Sequence, residues 1–516
     1  MASEDCHGWH SVETLMAEWD VLYSLLRGQS ERPFPSDEKI KSSISKTETD
    51  LRRCNEEIEC LQVQIIALEN EKRLIERNAV GYTSLLAPIR KLPSELLQQI
   101  FLFVCDDNFI SDCFRIPPAT LVQVCSSWKN LASSAHRLWS IITLVVSDRF
   151  SPDAWVALEL LLEKSGSVPL DLNITINHMA TFSASSSLDM LVRQSRRWSR
   201  LELCLDYQLF DDVCRVLRPI QGNLPLLEHL EFNAGRQSLS GRVLDVFQDA
   251  SRLRSVKLSH ESSPDVIILP WQQLQSLVLW EASYQYIPLQ RLSSRLNSIT
   301  IDGYFDDPGN DEPCVDMVLD AEALLLGLET SDDAYIIDNL TLPKLTSLTM
   351  FSRNTSGSFV LDEISPLQSL ISRSSCTLTS LTWSNLPTPL EPFLSFLSTA
   401  TSLRSLSLSD ESVGVPLIGT GLFDKLQNHF SFSSIFLPNL QTLSLSSTKE
   451  LGFSDACFVD VVTSRWFPNG GVVQCLRSVR LETPNRRFTA NTIPLQQLIR
   501  AGMKIVIKDQ AGVVLC

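Results

Sequence analysis

The chain has little of what an enzyme, a secreted scaffold or a nucleic-acid binder is built from. Its thirteen cysteines include no C-x-x-C pair, and their odd number and scatter exclude a disulfide framework and a zinc ribbon. Most stand at apolar positions, where a thiol acts as a small hydrophobe. Only seven histidines are present, and the one close pair, His7 and His10, is not read as a metal site. Basic residues number 44 against 60 acidic ones, a formal charge of −16, so no global footprint for nucleic acid or an anionic membrane exists. Long apolar runs are missing too: Ile141–Val146, among the longest, is far short of a membrane span. The opening MASEDCHGWH has no basic stretch followed by an apolar one, so no secretory leader is expected, and the expected compartment is cytoplasmic or nuclear. With 19 Gly and 25 Pro the chain is not linker-dominated, while 44% apolar residues supply a core.

Catalytic motifs are equally scarce. There is no G-x-S-x-G, and Gly414 to Gly419 has the glycine spacing of a phosphate loop without its Lys-Ser/Thr. Asp302, Asp306, Asp307, Asp311, Glu312 and Asp316 lack the alternation and central glycine of a calcium loop. Cys125 has no adjacent base to make it a nucleophile. The expectation is a chain that is not an enzyme and takes no cofactor or metal.

What is present falls into four segments. Residues 1–36 carry one short amphipathic helix, Val12–Leu26, before the breakers Pro33 and Pro35. Residues 37–87 form a coiled-coil-like helix, with a seam at Ile40, Ile44, Thr47, Leu51, Cys54, Ile58, Leu61, Ile65, Leu68, Lys72 and Ile75. The steps alternate four and three, and a seam that narrow needs a partner. It either docks within its own chain, Val12–Leu26 included, or forms a homodimer through 40–75.

Residues 88–140 read as a compact helical unit. Pro93 stands in a first helical turn, where its missing N–H costs nothing, with Glu95 near the positive helix end. Leu96, Leu97, Ile100, Phe101, Phe103 and Val104 then sweep an apolar arc wider than one core-facing stripe needs. Leu121, Val124, Cys125, Trp128, Leu131 and Ala132 follow at helical spacing, and Leu138-Trp139 closes the unit. So much apolar surface in about fifty residues points to an interface.

The L-P-x-E-L-L opening at Leu92, the V-C-x-x-W centre from Val124 to Trp128 and the L-W close at Leu138 closely resemble an F-box. The departure is the connection 105–120, longer than the family's usual link and similar to insertions in F-box proteins of mushroom-forming fungi. The resemblance implies a three-helix F-box that binds a Skp-type adaptor and, through it, a cullin. It assigns adaptor binding to Leu92, Pro93, Glu95, Leu96, Ile100, Phe101, Val124, Cys125, Trp128, Leu131, Leu138 and Trp139. Leu92, Pro93, Leu96, Ile100 and Phe101 are expected on the outward part of the arc, and Trp128 in the core.

Residues 141–516 repeat an apolar-x-x-apolar-x-apolar unit, from Trp198/Leu201/Leu203 to Leu476/Val479/Leu481. Ten copies are legible, with a 49-residue gap between those starting at Leu296 and Leu345. Helical patterns lie between, among them Arg242–Asp249 and, inside the gap, Ala321–Leu328. Val168–Ile176 reads as the leading strand and Met503–Lys508 as the closing one. The unit resembles irregular leucine-rich repeats, without the Asn or Cys that regular members keep after the strand. The expected fold class is therefore α/β: N-terminal helices, then a leucine-rich-repeat-like solenoid with a curved parallel sheet.

Two features of this array point to binding. The window 302–338, read as an acidic insertion, holds twelve carboxylates and no Lys or Arg. Trp280, Asp302 and Phe351 share one outward-facing strand offset, so they form the candidate site for an unknown target protein. As a whole the resemblance implies the substrate-recognition subunit of a Skp–cullin–F-box ubiquitin ligase. The alternative is a leucine-rich-repeat scaffold with no role in ubiquitination.

Overall fold

Proline and the heptad seam set the first helices. In the computed structural model α1 spans Val12–Leu26 and α2 spans Asp37–Leu85, followed by a 3₁₀ turn at Pro88–Lys91. Asp37 and Glu38 stand in the first turn of α2, where they complement the helix dipole. The structure describes residues 12–29, 33–147, 151–177, 181–234, 243–259, 267–283, 296–305, 317–328, 337–338, 340–352, 360–361, 364–410, 416–427, 436–448, 453–466 and 475–515. The chain divides into two compact units, Met1–Pro93 and Ser94–Cys516.

In the first unit neither helix buries a residue. A groove joins α1 to the start of α2, lined by Leu15, Glu18, Val21 and Leu22 on one side and Thr47, Asp50, Arg53 and Cys54 on the other.

The second unit opens with three helices, α3 (Ser94–Val104), α4 (Pro117–Leu121) and α5 (Ser126–Ser134), and a 3₁₀ turn at His136–Trp139. Between α3 and α4 the chain forms a hairpin, β1 (Asn108–Ile110) with β2 (Phe114–Arg115). Strand β3 (Ile141–Val146) follows, then α6 (Pro152–Lys164), whose Ser151 cap accepts from the Ala154 N–H at 3.3 Å. The array continues with β4 (Leu170–Ile176), α7 (Thr181–Val192), β5 (Trp198–Leu205), α8 (Phe210–Leu217), β6 (His229–Asn233), β7 (Ser255–Ser259), β8 (Ser276–Ser283) and β9 (Ser298–Phe305). Beyond it come β10 (Met317–Val318), β11 (Ala323–Leu328), β12 (Leu340–Thr341), β13 (Ser347–Ser352), α9 (Ser365–Ser374), β14 (Ser380–Ser384) and α10 (Leu390–Thr399). The last elements are β15 (Ser405–Asp410), α11 (Thr420–Gln427), β16 (Thr442–Ser447), α12 (Asp455–Trp466), β17 (Ser478–Thr483), α13 (Ile493–Arg500), β18 (Lys504–Asp509) and β19 (Gly512–Leu515).

Seventeen of the strands make one sheet, with β10 and β12 forming a separate pair. From β1 through β3 to β9, then β11 and β13 to β18, every neighbouring pair is parallel. The pairing holds the apolar unit in register: Leu201, Leu230, Val256, Leu277 and Ile299 form one buried row that continues to Leu324, Leu348 and Leu381. Alternation sends that row, and the one two residues on, into a continuous core running from Leu97 to Leu515. The fold is thus mixed α/β, helices first and a long parallel repeat sheet after.

Several expectations are corrected. Ala321–Leu328 is not helical; β11 fills the gap and pairs with β9 and β13. Ala321, Leu324 and Leu326 are the repeat unit with its first position shrunk to Ala, and they split the 49 residues into steps of 25 and 24. Helical propensity in A-E-A-L-L-L lost to pairing on both sides. Among the described residues Arg242–Asp249 holds turns and a bridge from Leu244 to Ile267, not a helix. Val168–Ile176 does not lead the sheet, because β1 and β3 precede β4. Nor does Met503–Lys508 close it: β19 folds back antiparallel on β18. Residues 306–316 and 329–336 of the acidic window lie outside the described residues, as do His7 and His10.

The connection 105–120 has a structural reason. Asn108 occupies the buried row beside Ile142, and Ile110 sits beside Leu144, so the long link supplies the first parallel strand of the sheet. The buried Asn108 amide donates to the Leu138 and Ile141 carbonyls, both at 2.9 Å. Replacing Asn108 by Ala should cost about 1–3 kcal/mol, because two buried carbonyls lose their donor. Asn108→Asp should be no milder, since an ionised carboxylate cannot donate. Urea unfolding checks both, and parent-like midpoints would deny the link this role.

Candidate functional site

Helix α3 explains the wide apolar arc. Leu97, Phe101 and Cys105 recur four residues apart and are all buried, so they form the core stripe. Leu96, Ile100 and Phe103 make a second stripe pointing away from it, with exposures of 49%, 41% and 83%. One short helix therefore serves a core and presents an unused apolar face.

The sequence-assigned residues sort accordingly. Leu92 and Pro93, which end the first unit, are exposed, as are Glu95, Leu96, Ile100 and Val124. Phe101 was expected outward and is instead 1% exposed, because it stands on the core stripe. Its ring meets Trp128 edge-on at 4.9 Å between centroids. Trp128 is half-buried rather than fully buried, and Leu131 likewise. Cys125 is half-buried, and its Sγ caps α5 by accepting from the Trp128 N–H at 3.5 Å. Leu138 and Trp139 are buried, and the Trp139 ring N–H donates to the Ala132 carbonyl at 2.8 Å. Trp139, Ile142 and Leu144 also fit the repeat unit, so the close of the helical motif is the start of the first repeat. Phe103, the most exposed of these aromatics, was visible in the arc but not singled out.

The open face of the sheet, opposite the core, carries the second candidate. Trp280 is the register partner of Asp302, Asp302 of Gly327, and Gly327 of Phe351. The three predicted residues thus lie on neighbouring strands, separated only by a glycine from the overlooked repeat. A Cβ there would meet the Asp302 carboxylate and lie 2.6 Å from the Phe351 ring edge, so any larger residue makes both side-chain ends move. Trp280 and Phe351 are both partly exposed, so neither is a core ring. Sequence reasoning missed the flank. Lys257 lies 5.7 Å from the centre of the Trp280 ring and 2.6 Å from Glu231 on the next strand. A patch results in which a carboxylate, an ammonium, an indole, a second carboxylate and a phenyl ring follow one another across the strands. Gly327→Ala should displace the Phe351 ring and the Asp302 carboxylate at a stability cost of no more than about 1 kcal/mol, and target capture should fall further than the melting temperature does; unchanged capture would contradict this packing.

Beyond these surfaces, no group of three or more His, Cys, Asp or Glu side chains able to hold a metal exists among the described residues. The half-buried Cys204 thiol is pushed up, by desolvation first and then by the charge of Glu231. No helix among the described residues is long and apolar enough to cross a membrane.

No protein-family model matches the chain, and no curated protein matches it. Solved structures do, among them an internalin from Listeria monocytogenes str. 4b F2365, at 13% identity and a TM-score of 0.27, over 65% of this chain and 79% of that one. A score that low carries no argument. The strand pairing is by itself consistent with a leucine-rich-repeat-like solenoid.

Proposed function

We propose that this chain is a substrate receptor of a Skp–cullin–F-box type ubiquitin ligase, with residues 88–140 as the F-box and the repeat sheet as the target-binding part. The observation that carries the reading is the outward apolar stripe of α3, which begins at Leu96 within the L-P-x-E-L-L opening that resembles an F-box. A Skp-type adaptor covers Leu96, Ile100 and Phe103 in this reading, while Phe101, Trp128, Leu138 and Trp139 keep the unit folded. Because Trp139 begins the first repeat and Asn108 joins the sheet, adaptor-binding helices and target-binding face belong to one compact unit. The chain itself performs no chemistry. It raises the local concentration of target lysines near a conjugating enzyme carried by other subunits. The target sits on Trp280, Asp302 and Phe351, with Lys257 and Glu231 beside them; aromatics supply the anchor and charges the orientation.

Co-purification with a recombinant Skp-type adaptor tests the first half, and recovery of a cullin in the same complex tests the ligase role. Adaptor binding without a cullin would favour the repeat-scaffold alternative, and no adaptor binding would remove the F-box assignment. For the target half, Trp280→Ala combined with Phe351→Ala should abolish capture of cross-linked partners at an unchanged melting temperature. A large fall in melting temperature would make the rings structural.

A further inference from the structure

Helix α2 is 49 residues long, about 73 Å at 1.5 Å per residue. Its groove with α1 involves residues 43–54. Farther along, Ile58, Leu61, Ile65, Leu68 and Ile75 are each about half exposed or more. In the heptad these are Ile58 and Ile65 at a, and Leu61, Leu68 and Ile75 at d, with Lys72 the one polar a residue. Ile at a and Leu at d is the pattern of a two-stranded parallel coiled coil, and one polar a residue fixes register.

The flanks decide which second strand fits. Positions e and g from residue 55 to 78 hold Asn55, Glu57, Gln62, Gln64, Glu69, Glu71, Glu76 and Asn78: four acids, four amides and no base. Pairing with a parallel second copy sets Glu71 against Glu76 in both directions and Lys72 against Lys72, with no attractive g-to-e pair anywhere. Antiparallel pairing of the 55–78 stretch with itself matches e with e and g with g, acidic or amide throughout. Apart from Lys72 on the seam, the basic residues Lys46, Arg52, Arg53, Arg73 and Arg77 all stand at b, c or f, and Lys41, the one base at e, lies before this stretch.

We infer that residues 55–85 of α2 bind a helix of another polypeptide, one with an apolar a/d seam and Lys or Arg at its e and g positions. The preference is set by charge: acidic flanks repel a second copy and attract a basic helix. It uses none of the residues assigned to the adaptor or the target and adds a third partner to the chain.

The test uses the full chain and three labelled four-heptad peptides. One has Ile at a, Leu at d and Lys at e and g; the second carries Glu at e and g; the third scrambles the first. Fluorescence anisotropy should show the Lys-flanked peptide binding at least about 10-fold tighter than the other two, with the advantage shrinking as salt rises. Glu69→Lys, Glu71→Lys and Glu76→Lys together should reverse the preference toward the Glu-flanked peptide. Sedimentation should find the unliganded chain monomeric. A dimer that the Lys-flanked peptide fails to displace, or equal binding of the Lys-flanked and Glu-flanked peptides, would overturn the inference.

Discussion

Replacing Leu96 and Ile100 together by Asp is expected to weaken adaptor capture at least about 100-fold while leaving the melting temperature where it is. Both side chains stand on the outward stripe of α3, so the changes touch no core contact made by Leu97, Phe101 or Cys105. Surface substitutions of that kind usually shift stability by no more than about 0.5 kcal/mol. Each apolar anchor buried in an interface is worth about 2 kcal/mol or more, and two charges forced into a desolvated groove add their own penalty. Phe101→Ala is the contrasting variant. It empties a buried site against Trp128 and should cost about 3–5 kcal/mol, so adaptor binding falls only because the helices melt. Isothermal titration and thermal unfolding on the same samples separate the two. Full adaptor affinity in the Leu96/Ile100 double variant would sink the F-box reading, whatever the Phe101 variant does.

Much of this was legible in the sequence wherever a period was strict. The heptad places α2, the repeat unit places the core-facing residues of ten strands, and the strand offset puts Trp280, Asp302 and Phe351 in one column. Failures share one cause: a local pattern outvoted by pairing. A-E-A-L-L-L-G-L satisfies a helix as well as a strand, and only the steps of 25 and 24 around Ala321 mark it as a repeat. Gly327 was therefore invisible as the spacer that lets the Asp302 and Phe351 side chains occupy the space above it. Phe101 was misplaced because an arc of apolar residues does not say which edge faces the core. The buried Leu97, Phe101 and Cys105 settle that, and the exposed stripe follows by subtraction. The partnership of Lys257 with Glu231 and Trp280 depends on side-chain reach between strands, which no one-dimensional pattern records.

The same kind of hidden constraint makes Arg465 the residue whose loss should most damage the repeat sheet's C-terminal part. It stands on α12, is 1% exposed, and donates Nε to the Leu426 carbonyl at 3.0 Å. Its two terminal nitrogens donate to the Leu437 and Phe436 carbonyls at 2.9 and 2.8 Å. Burial pulls its pKa down to about 10, which still leaves a cation at neutral pH. Three carbonyl dipoles therefore solvate this buried charge, and the guanidinium in turn ties the last turn of α11 to the strand-leading residues Phe436 and Leu437. Leu437 has a φ of 47°, in the left-handed region that costs a side-chain-bearing residue about 1–2 kcal/mol. The clamp offsets that strain. Arg465→Met keeps the stem's packing but strands three carbonyls, at about 1–3 kcal/mol for each one left dry. Relaxation and water entry reduce the sum, so a loss of about 3–5 kcal/mol is expected. Arg465→Lys retains the charge without the planar fork and should fall between the parent and the Met variant. Urea unfolding followed by the tryptophan signal measures both. Because α12 and α3 lie on different parts of the array, adaptor affinity below the unfolding midpoint should match the parent in either variant. A Met variant within about 0.5 kcal/mol of the parent would mean that water already serves those carbonyls and that the clamp holds nothing.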